Sequence, residues 1–123
     1  MSINEKENKH TLGLAYEQLA AKHLTGEDYH ILQSNYRCKY GEIDLIAEHE
    51  GYLVFIEVKY RAGSQLGNPE EAVTSGKQKK ICRAATWYRM CHSIPEDRPV
   101  RFDVVAICGE EIRVIPNAFE YWV

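Results

Sequence analysis

The chain has 123 residues, of which 45% are hydrophobic and 27% charged, room for one domain with a real core but not for two. No apolar run approaches the ~20 residues that span a bilayer, and the polar opening MSINEKENKH is no secretory signal, so a cytoplasmic protein with no membrane partner is expected. A net charge of −3 is not that of a uniformly basic nucleic-acid binder, and four cysteines without a C-x-x-C pair suit neither a zinc site nor a disulfide framework.

Residues 1–10 read as a flexible polar tail and residues 11–123 as a single domain. A first helix is predicted from about Thr11 to Leu24, with Leu12, Ala15, Tyr16, Leu19 and His23 as its buried stripe and Gly26 as its end. Glu17, beside that stripe, reads on its own as a solvated helix charge. Tyr29 to Tyr36 is a first strand, followed by Arg37 and Lys39, which share a face. Phosphate contact and solvated edge charge account equally well for those two cations.

The stretch GEIDLIAEHEGYLVFIEVKYR, Gly41 to Arg61, reads as a β-hairpin, its two strands dominated by apolar and β-branched residues. Glu50-Gly51 is its two-residue loop, because glycine tolerates positive φ. That loop sets the register: Glu48 faces Leu53, Asp44 faces Glu57 and Glu42 faces Lys59, which puts Asp44, Glu57, Glu42 and Lys59 on one face. Two opposed carboxylates in apolar surroundings repel and are costly to desolvate. A divalent cation would resolve the conflict, since hard cations take carboxylate oxygens. The alternative is an exposed hairpin with a cross-strand Glu42–Lys59 ion pair.

Residues 61–73 are loop-like, with two glycines and a proline, and leave the strand beside this site. Arg61 shares the Glu57–Lys59 face and is a candidate phosphate clamp. A second helix is predicted from about Ser75 to His92, with Thr74 as N-cap and Ile81, Ala84, Ala85, Tyr88 and Cys91 buried. Lys77, Lys79, Lys80 and Arg83 crowd its first turns, where the helix dipole disfavours cations unless an anion is near. A solvated basic face and a phosphate site are both open there. Trp87 reads as core, with base stacking as the other reading. Val100 to Cys108 is an apolar strand returning parallel to the Glu57 strand. Asp103 within it needs a partner, a salt bridge or a backbone cap. Gly109-Glu110 turns into a last strand, Glu111–Ile115, and the aromatic tail Ala118–Val123 either packs on the core or serves self-association. The order α-β-β-β-α-β-β predicts an α/β fold: a mixed sheet of about five strands with helices on both faces.

Asp44, a dozen intervening residues and then Glu57-Val58-Lys59 resemble the D…(D/E)-x-K site of the restriction-endonuclease-like superfamily, which includes the archaeal Holliday junction resolvases. More specifically, GEIDLIA…LVFIEVKYR, GNPEEAVTSGKQKKI and RFDVVAICG resemble the YraN-like family of predicted endonucleases, over about Gly13 to Phe119. The resemblance implies a restriction-endonuclease-like core and a Mg²⁺- or Mn²⁺-dependent endonuclease acting on DNA, branched or otherwise structured. It implies Asp44, Glu57 and Lys59 as catalytic residues, and Asp44, Glu57, the Val58 carbonyl and Glu17 as metal ligands. Bulky Tyr16 stands where relatives often carry glycine, which leaves the approach of the first helix open. Arg61, Lys77, Gln78, Lys80 and Arg37 are the candidate DNA contacts, and a homodimer would suit a four-way junction by analogy. The alternatives are a non-catalytic nucleic-acid-binding module on a nuclease scaffold and a protein-interaction domain.

Overall fold

The computed structural model of the chain describes residues 5–61 and 73–122. Its elements are α1 (Glu5–Gly26), β1 (His30–Cys38), β2 (Gly41–His49), β3 (Tyr52–Arg61), α2 (Ser75–Cys91), β4 (Val100–Cys108) and β5 (Glu111–Ile115). The five strands form one sheet in sequence order, antiparallel except for the parallel β3–β4 pair, which gives the expected mixed α/β architecture.

The central strands are apolar on both faces because each face is covered by a helix. Ala20 and Leu24 of α1 pack on Leu45, Ala47, Val54, Ile56, Val105 and Ile107. Ile81, Ala84, Ala85 and Tyr88 of α2 pack on Ile43, Ile46, Phe55, Phe102 and Val104. The hairpin loop is as predicted: Glu50 and Gly51 have φ of 51° and 85°, a primed turn, and Glu48 faces Leu53.

Several boundaries and faces differ from expectation. The first helix starts at Glu5, not Thr11, so residues 5–10 are helical; they lack apolar periodicity but include good helix formers. Its buried stripe is Ala20 and Leu24, joined in part by Tyr16, whereas Leu12 and Leu19 are exposed. The spacing of four selects a narrower contact than the predicted stripe, since small Ala20 lets the helix approach the sheet closely. On α2, Cys82 is buried and Cys91 exposed. Thr74 caps α2 as expected, its hydroxyl accepting from Lys77 N–H at 3.2 Å. In the tail, Phe119 and Tyr121 pack on Phe102, so these two rings belong to the core. The loop read as a carrier of substrate contacts falls on residues 62–72, outside the described residues.

Candidate active site

The expected hairpin register holds from His49↔Tyr52 to Leu45↔Ile56 and stops there. Asp44 does not enter the ladder opposite Glu57. Its Oδ2 instead accepts from the Val58 backbone N–H at 2.8 Å, so a side chain satisfies the donor that the departing strand leaves behind. The Glu42–Lys59 pair is not formed; Glu42 meets Arg37 at 3.4 Å and Lys59 meets Glu57 at 3.9 Å.

A distortion in β1 accompanies this departure. Ser34↔Leu45 and Tyr36↔Ile43 are ladder pairs, but Asn35, opposite Asp44, is skipped and adopts φ of 56°. Asparagine tolerates that conformation better than most residues. On the far side of the irregularity, Ile43 packs with the α2 cluster while Leu45 packs with the α1 cluster, although strict alternation puts residues two apart on one face. An asparagine inside a strand pattern was the available signal for this left-handed residue, and sequence reasoning missed it.

Three acids meet here. Glu17 of α1 and Glu57 of β3 each come within hydrogen-bonding reach of Asp44 and interact with each other only through space. They form a chain through Asp44, not a closed cage, and among the described residues no three His, Cys, Asp or Glu groups form a ready-made cation site. Burial, the Asp44 carboxyl and the nearby charges of Glu42 and Glu57 push the Glu17 carboxyl up to about 8. Burial and Asp44 raise Glu57 to about 7, against the lowering effect of Lys77 and Lys59. The two ammonium groups stand 3.7 and 3.9 Å from Glu57 Oε1, in ion-pair range but too far for strong hydrogen bonds.

The bulk of Tyr16 does not keep α1 away. Its ring lies flat on Tyr60, with centroids 4.2 Å apart and planes at 12°, and Glu17 still reaches Asp44. A cleft of about 170 Å³ opens over Glu17, lined also by Lys9, His10, Asn35, Arg37 and Glu42. Lys9 and His10 escaped notice because their helical turn was read as tail. Of the other candidates, Val58 buries its side chain on the α1 side. Arg61 is exposed at the end of β3. The Gln78 amide donates to the Val73 carbonyl at 3.1 Å. Lys80 is exposed and packs by its Cβ against Gly41, where an added Cβ would lie 3.6 Å away and φ is 146°. So Glu17, Asp44, Glu57, Lys59 and Lys77 gather at one place, with Arg37 at the rim of the Glu17 cleft.

A family model described as "Uncharacterised protein family UPF0102" matches residues 16–107. The chain belongs to the UPF0102, or YraN-like, family. The UPF0102 protein of Lachnoclostridium phytofermentans is 50% identical over 113 residues, covering 92% of this chain and 96% of its own length. That of Symbiobacterium thermophilum is 46% identical over 113 residues, with coverage of 88% and 95%. That of Caldanaerobacter subterraneus subsp. tengcongensis is 42% identical over 122 residues, with coverage of 94% and 99%. The UPF0102 match takes in Glu17, Asp44, Glu57, Lys59 and Lys77, and ends within β4.

The acid chain has a consequence for stability. The folded-state pKa values of Glu17 and Glu57 lie above their ordinary value of 4.5. A raised pKa favours the folded state below the ordinary value, and that contribution is lost as pH rises through the folded value. Metal-free protein is therefore expected to lose melting temperature from about pH 5 to about pH 8, and Mg²⁺ should restore more of it at pH 8 than at pH 5. Thermal melts with EDTA or Mg²⁺ across this range check both signs. A metal-free melting temperature that climbs over the interval contradicts the crowded-acid account.

Proposed function

We propose that this chain is a divalent-metal-dependent DNA endonuclease of the restriction-endonuclease-like superfamily, working in the cytoplasm. The observation that carries this reading is the convergence of Asp44 and Glu57 where β2 leaves β3, with Lys59 and Lys77 beside them and Glu17 arriving from a separate helix. A half-buried acid cluster with unfavourable ionisation is a poor structural element and a good cation-binding one.

The donor set fits Mg²⁺ or Mn²⁺. Mg²⁺ usually keeps several waters and takes one or two carboxylates plus substrate phosphate, so a full protein cage is not required. Asp44 and Glu57 would supply the carboxylates, with the Val58 carbonyl and Glu17 as further donors. When bound, the cation supplies Lewis acidity toward a phosphoryl oxygen and lowers the pKa of a coordinated water.

The rest is done by the chain's own groups. Lys59, half-exposed and held by Glu57, orients the attacking water or stabilises charge gathering on the phosphorus oxygens. Lys77, on the first turn of α2, adds its charge to the helix N-terminus and holds a phosphate there. Arg37, Arg61 and Lys80 extend the backbone contacts outward, while Gln78 keeps the start of α2 tied to Val73. Water attacks phosphorus and gives up a proton to solvent, the P–O bond to the leaving strand breaks, and the departing oxygen takes a proton from solvent.

Cleavage of junction, flap, nicked and linear DNA with Mg²⁺ and Mn²⁺ tests the reading and ranks substrates. Lys59→Ala is expected to lower the cleavage rate by about 10²–10³-fold with DNA affinity changed less than about threefold. Wild-type protein that binds DNA without cutting any of these substrates in either metal would reduce the chain to a binding module.

A further inference from the structure

An apolar pocket of about 250 Å³ lies on α2 away from the acid cluster, lined by Tyr40, Cys82, Arg83, Thr86, Trp87 and Met90. Tyr40 stands on the β1–β2 turn, 40% exposed, with its ring edge-on to Trp87 at 5.7 Å. Met90 is 68% exposed, an uncovered apolar side chain among cations, and Trp87 is partly buried against the core. Lys39 Nζ sits 4.6 Å from the Trp87 ring centre and 5.2 Å from that of Tyr40. Lys79 Nζ similarly lies 5.4 Å from the ring of Trp122.

Lys77, Lys80, Arg83, Trp87 and Met90 recur every three or four residues, a single stripe along one side of α2. Lys77 touches Glu57 at one end, and the aromatic pocket occupies the other, roughly 15 Å further along at 1.5 Å per residue. A cationic track ending in an apolar aromatic pocket matches a ligand that is anionic along its length and flat and apolar at intervals. Ammonium groups over exposed rings are weakly held there and can move onto phosphate, freeing ring faces.

We infer that this pocket binds an unpaired nucleobase of single-stranded DNA, a few nucleotides from the phosphate held at Lys77. The inference takes the identity of its strand from the endonuclease reading and makes its preferred substrate DNA with an unpaired segment next to the cleavage point. In a duplex the bases are stacked on each other and cannot enter the pocket, so the discrimination is between unpaired and paired strands.

The test is binding in EDTA, which reads independently of cleavage. Fluorescence anisotropy compares a short labelled oligothymidylate with a duplex of the same length. Wild type should prefer the single strand by about tenfold, and Tyr40→Ala should remove that preference while leaving duplex affinity within about twofold. Met90→Glu, at an exposed position where folding is undemanding, should do the same by putting a negative charge at the pocket mouth. In a Trp122→Phe background, Trp87 emission should fall on adding the oligothymidylate. Equal affinity of wild type for both DNAs, or equal losses on both in the two variants, would overturn the assignment. A wild-type dimer that Met90→Glu dissociates, with single-strand affinity unchanged, would give the pocket to a second copy of the chain and overturn it too.

Discussion

Asp44→Asn should yield a protein that melts higher than wild type in EDTA at pH 8 and, under the proposed endonuclease mechanism, fails to cleave DNA. Asparagine keeps an oxygen for the Val58 N–H, so the capping bond at 2.8 Å survives. Its amide nitrogen then faces Glu17 and Glu57 as a donor where a carboxylate stood. Removing one charge from a half-buried acid cluster should stabilise by about 1 kcal/mol, or ~3–6 °C for a domain of this size. The gain should shrink toward pH 5, below the raised values of Glu17 and Glu57, where the wild-type carboxyls are protonated and the repulsion that the substitution relieves is already gone. On the proposed mechanism, cleavage should fall on the order of 10³-fold, because one of the two carboxylates proposed for the cation would be gone. Mg²⁺ should no longer raise the melting temperature. A variant that melts lower than wild type in EDTA would make Asp44 an ordinary capping residue, and unchanged cleavage would remove it from the mechanism.

Asp103→Ala should be the most damaging single change in the sheet. Asp103 is fully buried, and its two oxygens take bonds from Arg101 Nε and Nη2, both at 2.8 Å. The Tyr29 hydroxyl donates to Oδ2 at 2.6 Å and the Asn117 backbone N–H to Oδ1 at 3.0 Å. Salt bridge and backbone cap, the two expected roles, are thus both present. Arg101, itself nearly buried, also meets His49 Nδ1 at 2.7 Å, and His49 stacks on Tyr29 with centroids 3.8 Å apart. Burial and the bond to Asp103 raise the Tyr29 hydroxyl, so it stays a neutral donor.

Truncating Asp103 strands the guanidinium, the phenol and an N–H together. A buried pair broken on one side costs about 3–5 kcal/mol, here ~10–20 °C of melting temperature. Arg101→Met combined with Asp103→Leu should recover most of the loss, since two apolar groups leave no uncompensated charge. Denaturant melts of the two singles and the double measure the coupling. Cleavage per folded molecule at low temperature should stay near wild type, because this network points toward the hairpin end of the sheet, where His49 faces Tyr52. A loss of under about 1 kcal/mol for Asp103→Ala would mean that water fills the gap and that the network is not structural.

These two acids separate what is local in a chain from what is not. The element order, the Glu50-Gly51 turn, the pairing of β2 with β3 and the Thr74 cap were all legible, because each depends on residues within a few positions of one another. Asp44 and Glu57 were singled out together because a two-residue loop transmits a register along both strands, but the direct opposition which that register predicts is not formed. A strand period cannot say where a ladder breaks. The departure of β2 after Leu45, the φ of Asn35 and the turn of Asp44 onto Val58 N–H arise from three strands accommodating one another.

The placement of Glu17 was also decided by tertiary structure. On its helix it looks like any solvated acid, and only the seating of Ala20 and Leu24 on the sheet brings it to Asp44. Asp103 is similar: the sequence demanded a partner, but Tyr29 and Asn117 come from distant segments that only the closed sheet brings together. Side-chain period and turn chemistry act over a few residues and are written in order along the chain. Charge and burial act through space, so the acid cluster and its ionisation exist only once helix and sheet have closed on each other.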